Sequence, residues 1–172
     1  VLEEIARAPY FAFLSVLHLR ESLGLRGQWH IYLMKQHFEQ SVNETEHLEI
    51  MESRGGNAYW IDRFLARHLV LVYYWINVVY YWLSPRAAYH LSYEIELHAM
   101  ETYAKYLAEI DGSDIDICSV MNDELHHAQE LYEAMNIIDP DHLTVREENR
   151  KPFPPDISDL SSVKLVSSVE QQ

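Results

Sequence analysis

Apolar side chains recur every three or four residues along most of the first 136 positions, which is the period of an amphipathic α-helix. Clusters of glycine, proline, asparagine and aspartate interrupt this pattern and act as helix stops. The pattern predicts helices over residues 1–23, 29–53, 59–83, 86–110 and 114–136. Pro9 lies inside the first helix and is expected to kink it or to mark a late start. The sequence therefore predicts an all-α protein.

The third predicted helix differs from the others because it carries no charged residue between Leu69 and Pro85. A helix that spans a bilayer needs ~20 apolar residues, and this run is shorter and contains Asn77. It is also crowded with tyrosine and tryptophan, which prefer the headgroup level of a membrane. These features favour a helix that lies in one leaflet without crossing the bilayer. The alternative is an aromatic core helix of a soluble bundle.

Charge and cysteine content exclude several classes of function. The formal net charge of −14 argues against a nucleic-acid partner, because binding to phosphates needs the opposite sign. Cys118 is the only cysteine, which excludes an internal disulfide, a CxxC redox pair and a cysteine zinc site. With 172 residues, the chain has the length of one domain with a sizeable core.

The expected organisation is a helical domain over residues 1–136 and a tail over 137–172. The tail contains Lys151-Pro152-Phe153-Pro154-Pro155 and a serine-rich end, which predict an extended or disordered segment. The sequence begins at Val1 rather than at a methionine and shows no signal peptide, so a fragment or a processed form is expected.

The strongest chemical signal is a Glu-x-x-His spacing that occurs twice, at Glu44/His47 and at Glu124/His127. Positions i and i+3 lie on one face of a helix, so each pair can hold the same metal ion. One such pair is weak evidence, because a single copy is usually part of a solvated stripe. Two copies, each helped by a glutamate from another helix, form the ligand set of a carboxylate-bridged di-iron site in a ferritin-like four-helix bundle.

The two further glutamates are predicted from the inward faces of the remaining helices. Glu96 lies on a mostly apolar stripe, where a charge is costly unless it is paired or bound to a metal. Glu3 shares a face with Ala6 and Tyr10, and is therefore preferred over its neighbour Glu4. The predicted ligands are Glu3, Glu44, His47, Glu96, Glu124 and His127. By the same helical geometry Glu46, Glu94 and His126 point away from the site.

Three more residues are expected near this site. Asn43 and Asp123 each precede a Glu-x-x-His pair and can hold the neighbouring histidine in orientation. Tyr103 follows Glu96 by seven residues, which is two turns along the same face. It is either a core aromatic residue or a tyrosine that supplies an electron and a proton beside an oxidising centre.

These residues resemble the alternative oxidases, and most closely their plastid terminal oxidase branch, which are membrane-bound non-haem di-iron quinol oxidases. The matching segments, in family order, are Leu2-Glu3, Arg7-Ala8-Pro9-Tyr10-Phe11-Ala12-Phe13, Ser15-Val16-Leu17-His18, Asn43-Glu44-x-x-His47, Gly55-Gly56-Asn57, Asp62-Arg63-Phe64-Leu65-Ala66, Leu83-Ser84-Pro85-Arg86-x-Ala88-Tyr89-His90, Glu96-x-His98-Ala99-x-Glu101-Thr102-Tyr103 and Asp123-Glu124-x-x-His127. The resemblance covers residues 1 to about 136.

The resemblance implies two iron ions held by the six predicted ligands and a catalytic role for Tyr103. It also implies a quinol pocket beside Leu2, Ala99 and Thr102. The expected activity is oxidation of a quinol, such as plastoquinol, with reduction of O2 to water. The expected protein is a homodimer that lies in one membrane leaflet, at a thylakoid membrane of plastid or cyanobacterial type.

The chain also departs from the family pattern. The family has a much longer connection between the helices of Glu96 and Glu124, which are 28 positions apart here. This spacing still allows an antiparallel hairpin around Gly112. The upstream sequence that helps to form the membrane face and the quinol pocket in the family is absent, so the helical domain is expected to be incomplete at its N-terminal side. Met121 stands where an arginine is usual, and Glu4 stands where a threonine is usual.

Three alternatives share parts of this pattern. The first is a di-iron monooxygenase of a lipid-like substrate, which the same ligand set would serve. The second is a soluble ferritin-like iron-binding protein. The third is a truncated, inactive relative that keeps the fold.

Overall fold

In the computed structural model of the chain, the described residues are 2–27, 29–110 and 112–138. Their helices are α1 (Leu2–Ala6), α2 (Ala8–Ser22), α3 (His30–Met51), α4 (Trp60–Leu83), α5 (Pro85–Glu109) and α6 (Ile115–Ile137). The all-α prediction is confirmed, and the predicted ends of the last four helices agree with the structure within about two residues. The predicted tail from residue 139 onward lies outside the described residues, so it stays a prediction.

The first predicted helix, residues 1–23, is two helices in the structure. Leu2–Ala6 and Ala8–Ser22 meet at Arg7, two residues before Pro9. Proline lacks an N–H and is tolerated in the first turn of a helix, so α2 begins where Pro9 costs least. α1, which carries Glu3, packs mainly on α3 and α4.

The bundle has four helical members. α1 and α2 together form the first, and α3, α6 and α5 are the other three. α2 packs on α3, α3 packs on α6, and α6 packs extensively on α5. α4 lies outside this set, against α2 and α5. The buried apolar cluster that joins the helices comprises Tyr10, Phe13, Val16, Leu17, Leu33, Tyr81, Ala88, Tyr89, Tyr93, Ala128, Leu131, Ala134, Met135 and Ile138.

The connections between these helices are short. After α2 the chain turns at Gly24, where φ is +75°, and the Leu25 amide donates to the Arg20 carbonyl at 2.8 Å. After α3, the chain bends over Glu52–Gly56, where Gly55 has φ of 91°. The α5–α6 connection turns at Gly112, so the hairpin that the 28-residue spacing allows is formed.

One face of α4 is apolar and exposed. Leu65, Leu69, Val72, Ile76, Val79 and Leu83 follow each other at intervals of four and three, and each is at least 50% exposed. These six residues are called the α4 apolar face below. Within α4 the buried residues are Ala66, Asn77 and Tyr81. α4 is therefore not an aromatic helix in the core of the bundle, which was the alternative prediction. Among the described residues, none of the helices has the length and hydropathy needed to cross a membrane.

Candidate metal centre

Helices α3 and α6 bring the two Glu-x-x-His pairs together in the middle of the bundle. Glu44 and His47 lie one turn apart on α3, and Glu124 and His127 lie one turn apart on α6. All four side chains are buried. Because each helix directs its pair to the common interior, the predicted faces are those that the structure uses.

The remaining predicted ligands complete two overlapping groups. Glu3, Glu44, His47 and Glu124 offer ligand atoms that lie within 4.8 Å of one another. Glu44, Glu96, Glu124 and His127 do the same. Glu44 and Glu124 belong to both groups, so a metal ion in each group would be bridged by these two carboxylates. Glu3 comes from α1 and Glu96 from α5, so all four helical members of the bundle contribute a candidate ligand.

The hydrogen bonding of these side chains leaves the ligand atoms free. The buried atoms without a hydrogen-bond partner include Glu3 Oε2, both Glu44 carboxylate oxygens, His47 Nδ1, Glu96 Oε2, Glu124 Oε2 and His127 Nδ1. A buried polar atom without a partner is costly, because it has lost water and gained nothing. Seven such atoms that face one another fit a site for cations with oxygen and imidazole ligands.

Each histidine also lies close to the glutamate of the opposite pair. His127 Nδ1 is 2.9 Å from Glu44 Oε1, and His47 Nδ1 is 3.3 Å from Glu124 Oε1. The first of these contacts is short but lacks hydrogen-bond geometry at both atoms. A cation held by both groups would stabilise an imidazole nitrogen and a carboxylate oxygen at this distance.

The pKa shifts of the buried side chains at the centre also indicate a site for cations. Burial, followed by the charge of neighbouring carboxylates, raises the pKa of Glu44 and of Glu96 well above the usual range of a carboxyl. Burial raises the pKa of Glu124 to about 8 and lowers the pKa of His127. Carboxylates at these positions resist ionisation on their own, so metal cations are the partners that would stabilise their charged forms.

Asp123 and Asn43 lie beside the His47 side chain. Asp123 Oδ2 is 3.2 Å from His47 Nε2, and it accepts a hydrogen bond of 3.4 Å from the Asn43 side-chain amide. Asp123 is adjacent to Glu124 in sequence, yet it contacts the histidine of the other pair. It therefore orients an imidazole across the α3–α6 interface, because the register of the two helices brings them side by side.

Tyr10 and His37 are buried beside the centre but were not among the predicted site residues. The Tyr10 hydroxyl donates a hydrogen bond of 2.5 Å to Glu96 Oε1, and the Tyr10 ring stacks on the His37 ring with centroids 6.2 Å apart. The available signal was spacing: Tyr10 follows Glu3 by seven residues, and His37 precedes Glu44 by seven. Two helical turns return a residue to the same face.

Tyr103 joins the centre to a neighbouring cavity. Its hydroxyl donates a hydrogen bond to Glu3 Oε1, and burial raises the pKa of Tyr103. The cavity has a volume of about 330 Å³ and is lined mostly by apolar atoms. Its wall includes Ala99 and Thr102 together with Tyr103, Glu3 and Glu96. The side chain of Leu2, the third residue expected at a quinol pocket, lies outside the described residues.

The residues predicted to point away from the site do so. Glu46, Glu94 and His126 are exposed, and His126 pairs with Glu130 at 3.5 Å. Glu4 is buried but lies outside both ligand groups, where it pairs with Arg7 at 2.8 Å. The choice of Glu3 over Glu4 therefore agrees with the geometry.

Comparisons with known proteins show which family the chain is similar to. The family model described as "Alternative oxidase" matches residues 1–147. "Ubiquinol oxidase 4, chloroplastic/chromoplastic" of Arabidopsis thaliana is 55% identical over 109 residues, which cover 62% of this chain and 30% of that protein. "Ubiquinol oxidase, mitochondrial" of Mangifera indica is 30% identical over 117 residues, or 67% of this chain and 35% of that protein.

The matched part corresponds to about a third of the length of these curated relatives. No solved structure gives a significant match. The identity to the plastid protein is well above the identity to the mitochondrial one, and the family match includes all six residues of the two ligand groups. The chain therefore belongs to the alternative oxidase family, on its plastid terminal oxidase branch.

Proposed function

We propose that the protein is a membrane-associated di-iron quinol oxidase, which oxidises a quinol such as plastoquinol and reduces O2 to water. The observation that carries this proposal is the pair of ligand groups that share Glu44 and Glu124 beside an apolar cavity. Two bound iron ions would accept electrons from the quinol and deliver them to O2 in pairs. Two quinols per O2 balance the reaction, because each gives two electrons and two protons.

In this proposal the six ligands divide between the two ions. Glu3 and His47 would hold one ion, Glu96 and His127 would hold the other, and Glu44 and Glu124, which belong to both groups, would contribute to both. Asp123 keeps the His47 ring in place through its contact with Nε2, which leaves Nδ1 directed to the centre. Tyr10 holds one oxygen of Glu96, so the other oxygen stays free to bind.

The cavity is the proposed site of the quinol. Ile5, Pro9 and Ile95 form an apolar part of its wall. Ala99 and Thr102, which the family resemblance assigns to the quinol pocket, also line it. Leu2 stays part of the expected pocket. The Tyr103 hydroxyl lies between the cavity and Glu3, so a quinol hydroxyl that binds beside it has a route for its proton to the Glu3 carboxylate. Tyr103 is for this reason the proposed catalytic tyrosine.

The proposed location is one leaflet of a thylakoid membrane. The α4 apolar face is wide and carries tyrosine and tryptophan neighbours, which suits partial insertion at the headgroup level. A quinol is itself dissolved in the membrane, and the cavity reaches α4 at Tyr73, so a quinol could enter it from the leaflet. Support for a plastid membrane is the similarity to the chloroplastic ubiquinol oxidase of Arabidopsis thaliana.

A homodimer is also proposed, with α3 at the interface. Ile31, Phe38 and Val42 are exposed apolar residues of α3 at positions i, i+7 and i+11, which share one face of the helix. A second copy that covers this face would remove it from water.

The test is O2 uptake by membranes that contain the protein, with a short-chain quinol as donor and with cyanide present. Uptake that is lost in Glu124→Ala and in Tyr103→Phe supports the proposal. Tyr106→Phe is the matched control, because Tyr106 is exposed on the same helix. Two iron ions per chain without uptake would contradict the oxidase assignment, and an oxygenated organic product would identify a monooxygenase instead.

A further inference from the structure

Ser92 is a buried side chain of α5 that is not among the ligands of the metal centre. It is 2% exposed, and its Oγ has no hydrogen-bond partner. A serine inside a helix can satisfy its hydroxyl at the carbonyl four residues earlier, as Ser15 does with Phe11. Because a buried hydroxyl without a partner is costly, Ser92 indicates a polar group that the protein itself does not supply.

The Ser92 side chain lines the cavity beside the metal centre. Among the described residues, the other unpartnered buried oxygens of the cavity wall belong to the ligand groups, on Glu3, Glu96 and Glu124. The Thr102 hydroxyl, which also lines the cavity, already donates to a backbone carbonyl of α5 at 2.8 Å. Ser92 therefore offers an occupant of the cavity a neutral hydroxyl that no protein group holds.

The size and the exposure of the cavity wall fit an aromatic ring that enters from outside. Ile95, His98 and Thr102 are exposed, whereas Ser92 and Glu96 are buried, so the latter two lie at the closed side of the cavity. The volume of about 330 Å³ exceeds the ~150 Å³ in which an apolar cavity binds benzene. A substituted benzene ring therefore has room to reach the Ser92 hydroxyl.

A second hydroxyl lines the same cavity farther along α5. Tyr103 follows Ser92 by eleven residues, which is three turns along one face of the helix, and its hydroxyl donates to Glu3. Side chains of a helix lean toward its N-terminus, so the long Tyr103 side chain reaches back in the direction of Ser92. Glu96 and Ala99 lie between the two on this face. The cavity thus presents two hydroxyls at separate positions, and a ring with an oxygen at each end can use both.

We propose that Ser92 hydrogen-bonds the second oxygen of a bound para-quinol, the one that lies away from Tyr103. The inference rests on the proposed function, in which a quinol occupies this cavity. A serine hydroxyl both donates and accepts, so it accepts from the hydroxyl of the quinol and donates to the carbonyl of the quinone. Ser92 is in this way a substrate-binding residue that holds the ring in one orientation and directs its other oxygen to Tyr103.

Binding of small ring probes to the full 172-residue protein tests the proposal. The protein is first reduced with dithionite and kept under argon, so that the probes are not oxidised. They are 2,3-dimethylbenzene-1,4-diol, which has an oxygen at each end, and 1,2-dimethylbenzene, the same ring without oxygens. Ser92→Ala should raise the dissociation constant of the diol about fivefold or more, because one hydrogen bond is lost. It should leave the dissociation constant of 1,2-dimethylbenzene unchanged or lower it.

Ser119→Ala is the matched control, because it removes the same hydroxyl at an exposed position of α6. It should bind both probes as the parent protein does. Since Ser92 Oγ has no partner within the protein, Ser92→Ala should melt at or above the temperature of the parent, which circular dichroism measures. An unchanged dissociation constant of the diol in Ser92→Ala, or equal rises for both probes, would overturn the proposal.

A comparison within the parent protein remains valid even when Ser92→Ala does not fold. The diol should bind about fivefold or more tightly than 2,3-dimethylphenol, because the phenol has one oxygen and can use only one of the two hydroxyls of the cavity. Equal affinity for the two probes would overturn the proposal, and so would a parent protein that does not bind the diol.

These outcomes are separable from those of the proposed function, whose readout is O2 uptake. Uptake by the parent, with equal diol affinity in the parent and in Ser92→Ala, would overturn the role of Ser92 and leave the oxidase assignment intact. A loss of diol affinity in Ser92→Ala, without uptake by the parent, would contradict the oxidase assignment and support the Ser92 contact.

Discussion

Nδ1 of His127 on α6 lies 2.9 Å from Oε1 of Glu44 on α3, so the two Glu-x-x-His pairs interlock across the bundle. The histidine of one pair faces the glutamate of the other at a distance that a shared cation would bridge. Glu44 and Glu124 consequently belong to both ligand groups, whereas Glu3 and Glu96 belong to one each.

This sharing predicts unequal losses of metal. Glu124→Gln should bind less than about one iron per chain, because it removes a ligand from both groups. Glu96→Gln should retain about one iron per chain, because the Glu3 group stays complete. Metal content measured by mass spectrometry after purification distinguishes the two. Equal retention by the two variants would show that Glu124 does not bridge.

The Tyr10 hydroxyl is predicted to stabilise the iron-loaded protein. Tyr10→Phe removes the 2.5 Å hydrogen bond to Glu96, and hydrogen bonds to buried charged groups are worth about 2 kcal/mol. The melting temperature should fall by roughly 4–8 °C. Tyr74→Phe is the matched control, since it removes a hydroxyl bonded to Ser15 at the surface. A loss no greater than that of the control would contradict the prediction.

His37 predicts a dependence of stability on pH. The ring is fully buried, with Nδ1 2.8 Å from Gln40 Oε1 and Nε2 2.7 Å from the Tyr89 hydroxyl. Burial lowers the pKa of His37 to about 4. The unfolded chain binds a proton near pH 6.5 and the folded protein does not, so the free energy of unfolding falls as the pH drops from about 6.5 to 4.

The loss from this group should reach about 3 kcal/mol at pH 4 and change little below it. Urea unfolding at several pH values between 4 and 7 gives the free energy of unfolding at each pH. The slope of that free energy against pH should be smaller in His37→Gln than in the parent protein. His90→Gln, at an exposed position, should keep the parent slope. An unchanged slope in His37→Gln would mean that the ring is protonated in the folded state.

The α4 apolar face predicts binding to lipid. Val72→Asp combined with Ile76→Asp should lower partition into phospholipid vesicles by about tenfold or more, since charges on this face oppose insertion. Ser119→Asp with Asn122→Asp adds the same charge at exposed positions of α6 and should leave partition unchanged. Sedimentation with vesicles measures the effect, and circular dichroism checks that the helices are kept. Equal partition of both double variants would exclude this face from the membrane contact.

Sequence periodicity was sufficient to predict the helices and the side chains that enter the centre. The spacing of Glu44 with His47 defines a face whatever surrounds the helix, and the apolar neighbours of Glu3 and Glu96 indicate which carboxylates point inward. These are local properties of single helices, so they can be read without knowledge of the packing.

The relations between helices could not be predicted in this way. The contact of Asp123 with His47 and the sharing of Glu44 and Glu124 depend on the register of α3 against α6, which no single helix determines. Pro9 predicted a kink or a late start in the first helix, but not the position of the break at Arg7, since the pattern of apolar residues continues through it. Tyr10 followed a predictable spacing, but its hydrogen bond to Glu96 depends on how α2 faces α5.

The short turn at Gly112 has a consequence for the order of folding. α5 and α6 are neighbours in sequence, and closing a loop of a few residues costs little chain entropy, so their hairpin is expected to form early. It already contains Glu96, Glu124 and His127. Glu3, which meets Tyr103 across 100 residues, is expected to arrive last. An early half-site of three ligands and a late closing glutamate would let a metal ion enter before α1 seals the bundle.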